Sequence, residues 1–300
     1  MSKRFMVPSW LSQHSFHYDD YKTVSRERLE AIKKGLKRLS HPDPVVSIVL
    51  PAWNEEQGML HTLSSLSMLQ TRYPTELIVV NNNSTDRTQE ILDLLEVRSV
   101  IEKEQGVAYA RNTGLQISKG KYHLCGDSDT LYPPTWVDAI IPPLEKEGVV
   151  CVYGLYSLVP PIDHSAYSFG IYSILSDIDV ELRRGEREFI NVRGVNFGFK
   201  AELGRKVKGF ELDKNKIRKM DAKPGTANHV EDGEDGTMAL RLLQEGKLQI
   251  VRSSGARVWT SPDRALADGG LGRAAYIRIR KRLLGMLKSK LSARKKPALS

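Results

Sequence analysis

The 300-residue chain is 40% hydrophobic and 27% charged, an ordinary globular balance with length for one large domain or two small ones. Its two cysteines, Cys125 and Cys151, exclude a disulfide framework and a cysteine-rich zinc module. The net charge of +9 is concentrated: segment 269–300 holds ten basic and no acidic residues, while the other 268 residues carry 35 basic against 36 acidic, which excludes a polyanion-binding body.

The start, MSKRFMVPSWLSQ, has no apolar run of secretory length, so a cytoplasmic chain is expected. Over 25–39, Leu29, Ile32, Leu36 and Leu39 recur at helical spacing behind a Ser25 cap, with Glu27 in the first turn. After a linker at 41–44, VVSIVLPAWNEE predicts a buried β-branched strand closed by Pro51, and residues 61–70 predict a helix. TELIVVNNNSTD predicts a second strand, 85–95 a helix with Asp86 in its first turn, and 98–102 a short third strand. A helix over 107–118 and a fourth strand at KYHLCGDSD follow. Residues 148–176 hold one charge, Asp163, and Pro160 and Pro161 break them into pieces too short to span a bilayer. A buried strand followed by an aromatic-rich loop or helix is expected there. Strands alternating with helices at these intervals predict a mainly parallel α/β sheet with ligands at the carboxyl ends of its strands.

Each of three polar clusters follows a predicted strand: Asn54, Glu55 and Glu56; then Asn81, Asn82 and Asn83; then Asp127 and Asp129. A crevice so lined suits a nucleotide and a cation. Alternating carboxylates at Asp127-Ser128-Asp129 are hard oxygen ligands of the kind that hold Mg²⁺ or Mn²⁺ against a diphosphate, although a DxD triplet alone is a weak signal.

The order of the motifs is more specific. VSIVLPAWNEE, ELIVVNNNSTDRTQEI, GVAYARNTGL, the DSD triplet and GEDGTMALRLLQEG together resemble a family 2 glycosyltransferase of the GT-A fold, over about residues 45–261. The resemblance implies a Rossmann-like nucleotide-binding half and an acceptor half in one continuous, mainly parallel sheet domain at 45–268. An N-terminal extension at 1–44 and a basic amphipathic tail at 269–300 flank it. It also implies one inverting transfer per encounter, since the processive QxxRW pattern is absent. The donor is a nucleotide sugar, with a UDP-sugar favoured, and the acceptor a hydroxyl of a glycan or lipid-linked glycan.

Carried over residue by residue, the resemblance puts the nucleotide at Pro51, Ala52, Glu55 and Asn82. The family usually has aspartate at the second strand end; Asn81 and Asn82 stand here, and an amide both donates and accepts where a carboxylate only receives a uracil N–H. An Asx-turn cluster capping the next helix is a concurrent reading. Arg111 matches the arginine facing the donor phosphates or sugar, and its fork suits two oxygens. Asp127 would contact the ribose or metal-bound water, and Asp129 would ligate the metal. Asp235 matches the catalytic base, and Glu234 would bind acceptor hydroxyls; Glu231 and Asp232 compete, with helix capping as their plainer role. Gly194 and Asn196 match the segment that closes over donor sugar and acceptor, and Thr260, Ser261 and Arg264 a loop near the diphosphate. Tyr153, Tyr156, Tyr167, Phe169 and Tyr172 are read as a sugar or lipid platform, or as core for at least half of them.

Over 271–291 the tail aligns Tyr276, Ile279, Leu283, Met286 and Leu287 on one side. Such a basic amphipathic helix suits an anionic membrane, peripheral on its inner face; packing on the domain is the alternative. Two rival functions remain. A sugar-phosphate nucleotidyltransferase calls for a Gly-rich, Arg-containing loop where PAWNEE stands, and a nucleic-acid or membrane-surface binder with an inactive core sits poorly with intact DSD and GED motifs. No nucleic-acid partner is expected.

Overall fold

The computed structural model describes residues 7–161, 164–185, 187–213, 215, 233–267, 269–273 and 276. Glu231, Asp232 and most of the predicted tail helix lie outside them.

Among the described residues, seven strands form the main sheet in the order β3-β2-β1-β4-β8-β6-β9. They are β1 (Val46–Ala52), β2 (Thr75–Asn81), β3 (Ser99–Ile101), β4 (Tyr122–Gly126), β6 (Val149–Gly154), β8 (Asn196–Lys200) and β9 (Lys247–Val251). β1, β2, β3 and β4 are parallel, as are β6 and β9, while β8 runs antiparallel to both β4 and β6. Three short strands, β5 (Thr130–Leu131), β7 (Tyr156–Leu158) and β10 (Val258–Thr260), form a second sheet that the sequence motifs do not announce.

Side-chain alternation along each strand splits the core into two faces. Ile48 and Leu50 of β1 join the buried cluster of α1 (Arg26–Leu36), α2 (Met59–Leu66), α3 (Thr88–Leu94) and α5 (Trp136–Glu145). Val49 turns the other way and meets Ala110 of α4 (Val107–Ile117). On that second face, Cys125, Cys151, Phe197 and Phe199 pack with Met238, Ala239 and Leu242 of α8 (Glu234–Leu242). The segment before β1 also belongs to the core: Tyr18, Tyr21, Ile32 and Leu36 are buried in the first cluster.

Several boundaries differ from expectation. The Ser25 hydroxyl caps α1 by accepting from the Arg28 N–H, as read from sequence. Pro51 does not close β1. The Ala52 carbonyl accepts from the Asn82 N–H on the β2 side, so Pro51 faces the β4 side, beyond the last pair at Val49 and Cys125. Its missing N–H therefore removes no ladder bond. α2 starts at Met59 and α3 at Thr88, and residues 148–176 resolve into β6, β7 and the helix α6 (Ala166–Leu182). Of the five aromatics there, Tyr153, Phe169 and Tyr172 are core, and Tyr167 is exposed.

Candidate active site

The carboxyl ends of β1, β2 and β4 share one edge of the sheet and bring Pro51, Ala52, Glu55, Asn82 and Asp127 together. Cross-bonds fasten the turns after β1 and β2. The Asn54 N–H donates to Ser84 Oγ and the Thr85 N–H to Asn54 Oδ1, at 3.0 and 2.8 Å. The Glu55 N–H donates to Thr88 Oγ1 and the Glu56 N–H to Asp86 Oδ2, at 2.8 and 2.9 Å. Asn54 and Asn83 hold left-handed φ of 54° and 59°, a region asparagine tolerates well. Trp53 stands 56% exposed between Ala52 and this turn, an aromatic the motif reading passed over.

Asn82 is buried, and its amide is fully engaged. Its Nδ2 donates to the Glu102 and Glu104 carbonyls, and its Oδ1 accepts from the Gly106 N–H at 2.8 Å. Gly106 has φ +139°, which a side chain would strain. An aspartate at position 82 has no donors for the two carbonyls, which is a physical reason for the amide here. Asn81 Oδ1 accepts from the Ser84 N–H at 3.0 Å, which closes a turn ahead of α3 and not the helix cap expected from the sequence, because α3 starts only at Thr88.

The DSD turn is held from three sides. Thr62 Oγ1 of α2 donates to the Ser128 carbonyl at 2.7 Å and accepts from the Thr130 N–H at 3.1 Å. Tyr132 Oη accepts from the Asp127 N–H and donates to the Asp127 carbonyl, at 2.8 and 3.0 Å. Thr260 Oγ1 donates to Asp129 Oδ1 and the Ser261 N–H to the Asp129 carbonyl, at 3.2 and 3.0 Å. Thr62 and Tyr132 are absent from the motifs, and with Thr62 66 to 68 residues from its partners no local spacing announces it.

Arg111 is 3% exposed and does not open onto the crevice. Its Nη2 donates to Asp127 Oδ1 at 2.6 Å and its Nε to Glu234 Oε1 at 3.1 Å, so it joins the DSD turn to the start of α8. Burial pulls its pKa down, but the Asp127, Glu234 and Asp235 carboxylates outweigh that and hold it above the usual arginine value. Burial, and then the neighbouring Asp235 charge, push Glu234 up to about 7 against the opposing pull of Arg111.

Asp235 Oδ2 accepts from the Gly194 N–H and Oδ1 from the Gly236 N–H, both at 2.7 Å. The close approach at Gly194 is to the protein itself, since a Cβ there would overlap the Arg111 guanidinium. Asn196 is turned into the core. Its Nδ2 donates to the Leu155 and Ala256 carbonyls and its Oδ1 accepts from Trp136 Nε1, which leaves no amide N–H for a sugar. Cys125 is buried, and burial pushes its thiol up to about 12, far from a nucleophile.

Among the described residues, no group of three or more His, Cys, Asp and Glu side chains could hold a metal ion. Asp127 and Asp129 offer two carboxylates on one turn. That set fits a magnesium or manganese ion that takes one or two carboxylates and completes its shell from phosphate and water.

The family model described as glycosyl transferase family 2 matches residues 47–200, half of the chain. The chain belongs to this family. A curated relative from Haemophilus influenzae, called an uncharacterized glycosyltransferase, is 33% identical over 119 residues, 38% of this chain and 36% of that one. The family 2 chain is also 30% identical over 121 residues to WfgD of Escherichia coli, named as a UDP-Glc:alpha-D-GlcNAc-diphosphoundecaprenol beta-1,3-glucosyltransferase, covering 39% of this chain and 47% of WfgD. It thus spans between a third and a half of the length of these relatives.

Among solved structures it resembles the mannosyltransferase PcManGT of Pyrobaculum calidifontis, in complex with GDP-Man and Mn²⁺. The identity is 20% and the TM-score 0.50, covering 78% of this chain and 64% of that one. It also resembles S. aureus TarS 1–349 in complex with UDP-GlcNAc, at 15% identity and TM-score 0.51, covering 72% and 58%. These likenesses show the fold, the GT-A arrangement expected from the motifs.

Proposed function

We propose that this family 2 chain is an inverting glycosyltransferase that moves one sugar from a nucleoside-diphosphate sugar, UDP favoured, to a hydroxyl of a glycan or lipid-linked glycan. The observation that carries this reading is the Arg111 bridge. One guanidinium binds Asp127, on the donor side, and Glu234, beside the proposed base, so the two motifs serve one reaction centre. The names of the compared proteins support the substrate class: WfgD uses UDP-Glc and a diphosphoundecaprenol acceptor, and PcManGT was solved with GDP-Man and Mn²⁺.

In this reading Asp235 is the general base that takes the acceptor hydroxyl proton. Its carboxylate is aimed by the Gly194 N–H at the head of α8. A single base with one in-line displacement inverts the anomeric carbon. Glu234 binds acceptor hydroxyls, and Pro51, Ala52 and Glu55 border the nucleotide. Asn82 shapes the base pocket by pinning residues 102–106, and Arg111 aligns the carboxylates without binding phosphate itself. Asp129 and Asp127 would hold a Mg²⁺ or Mn²⁺, whose chemistry when bound is to neutralise the charge of the departing diphosphate. Residues 45–268 form the catalytic domain, and the basic run 269–300 keeps it on an anionic membrane surface.

Asp235→Asn should abolish transfer while the Mn²⁺-dependent thermal stabilisation by UDP-, GDP- or dTDP-sugars survives, and Asp129→Ala should remove the metal dependence. Undiminished turnover in Asp235→Asn overturns the assignment.

A further inference from the structure

The family match begins at residue 47, yet buried side chains from the segment 7–25 reach three supports of the proposed donor site. Leu11 packs in one cluster with Leu131, just after the DSD turn, and with Trp259, whose neighbour Thr260 donates to Asp129. His14 lies on α2, the helix that carries Thr62. Its Nδ1 shares a hydrogen bond of 2.8 Å with Ser64 Oγ, and its carbonyl accepts from His61 Nδ1 at 2.7 Å. Tyr18 is 6% exposed, and its hydroxyl donates to the Glu56 and Gln57 carbonyls at 2.9 and 2.7 Å.

That hydroxyl acts on the loop between β1 and α2. It fixes two successive carbonyls between Glu55 and Gly58, and Gly58 is where the loop meets the DSD turn. A Cβ there would stand 3.0 Å from Glu55 Oε2, and 3.7 and 3.8 Å from the Ser128 carbonyl oxygen and Asp129 Cα. Glu55 and the DSD turn therefore face each other across this glycine. Further ties run from the same segment to the same loop. Arg87 Nη1 donates to Asp20 Oδ2 at 2.7 Å and its Nε to Glu56 Oε2 at 3.3 Å, while Gln57 Nε2 donates to the Asp19 carbonyl at 3.2 Å. The Tyr18 ring rests against Phe16 and His61, with centroids 5.8 and 5.2 Å away. A phenylalanine would fill the same space, so the hydroxyl adds only the hold on the loop.

We propose that residues 7–25 brace the donor site and that Tyr18 is a positioning residue for nucleotide-sugar binding, setting Glu55 against the DSD turn through the 56 and 57 carbonyls. The inference rests on the donor-site reading of those two elements.

The test uses the full chain with Mn²⁺ and UDP, GDP or dTDP in isothermal titration calorimetry. Tyr18→Phe should raise the dissociation constant of the nucleotide that the unaltered chain binds by about fivefold or more. Asp20→Asn, at a partly exposed ion pair, should raise it by about twofold. Leu36→Val, in the same buried cluster but at the last residue of α1, should lower the urea midpoint and leave the constant unchanged. Amide exchange without nucleotide gives a second readout: Tyr18→Phe should speed exchange at residues 56–59 and 128–130 and leave β2 as it was. Unchanged exchange there, an unchanged constant in Tyr18→Phe, or an equal rise in Leu36→Val overturns the brace. An unaltered chain that binds none of the three nucleotides overturns the donor-site reading, and the role of Tyr18 in binding with it, even where exchange responds.

Discussion

At Gly194 a single hydrogen decides how four charged residues meet. Its N–H aims Asp235, and the space a methyl group would fill is occupied by the guanidinium that bridges Asp127 and Glu234. Gly194→Ala must move Arg111, which is buried and bonded on both sides. We expect a loss of about 1–3 kcal/mol in urea unfolding, with transfer reduced at unchanged fold. The motifs pointed to Gly194, Arg111 and Asp235 as separate functional residues, and the structure joins them in one hydrogen-bonded unit. That union was not legible in the sequence, because Arg111 and Glu234 are 123 positions apart. Asn196 shows the opposite case: its motif match is real, but the side chain ties β8 to the Leu155 and Ala256 carbonyls.

At the scale of elements, α2 supports the DSD turn through one hydroxyl. Thr62→Val keeps the volume and leaves the Ser128 carbonyl and Thr130 N–H without their buried partner. A cost of about 1–3 kcal/mol is expected, and metal-dependent donor binding, followed by thermal shift, should weaken further than global stability alone explains. Strands and helices were legible wherever β-branched runs alternate with helical spacing, as along β1, β2 and α4. The start of α3 was not. Residues 84–87 are drawn out of the helix by bonds to residues 54–56, so Thr88 becomes its first residue. The exposed apolar stripe of Ile171, Leu175, Ile178 and Leu182 on α6 escaped for a related reason: Asp177 and Asp179 of the same helix pair inward with Arg257 and Arg183, so hydrophobicity alone does not say which side is buried.

Across the whole molecule, opposed titrations shape stability. Burial, with nearby arginine charge, holds His123 down at about 3 and His14 at about 4, against an ordinary 6.5. The unfolded chain therefore gains protons that the native state refuses as the pH falls below 6.5, and stability falls with it. Glu234 acts the other way. Raised from 4.5 to about 7, it favours the folded state at low pH and loses that contribution as the pH rises through 7. Burial lowers His61 as well, and three histidines outweigh one glutamate between 4.5 and 6.5, so the urea midpoint should peak at about 6.5 and drop on the acid side. Glu234→Gln should make the acid drop steeper and flatten the fall toward 7. An acid limb that does not steepen in that variant contradicts the account.

The position of β9 also bears on how the chain can be cut. The family match ends at residue 200, yet β6 finds its parallel partner only at Lys247–Val251, almost a hundred positions later. A fragment stopping at 200 would leave Val149–Gly154, a run of buried apolar residues, as an open sheet edge. Such an edge recruits strands from other copies. The stretch that best identifies the family is thus the stretch most prone to aggregate on its own, and the last quarter of the chain acts as its guard.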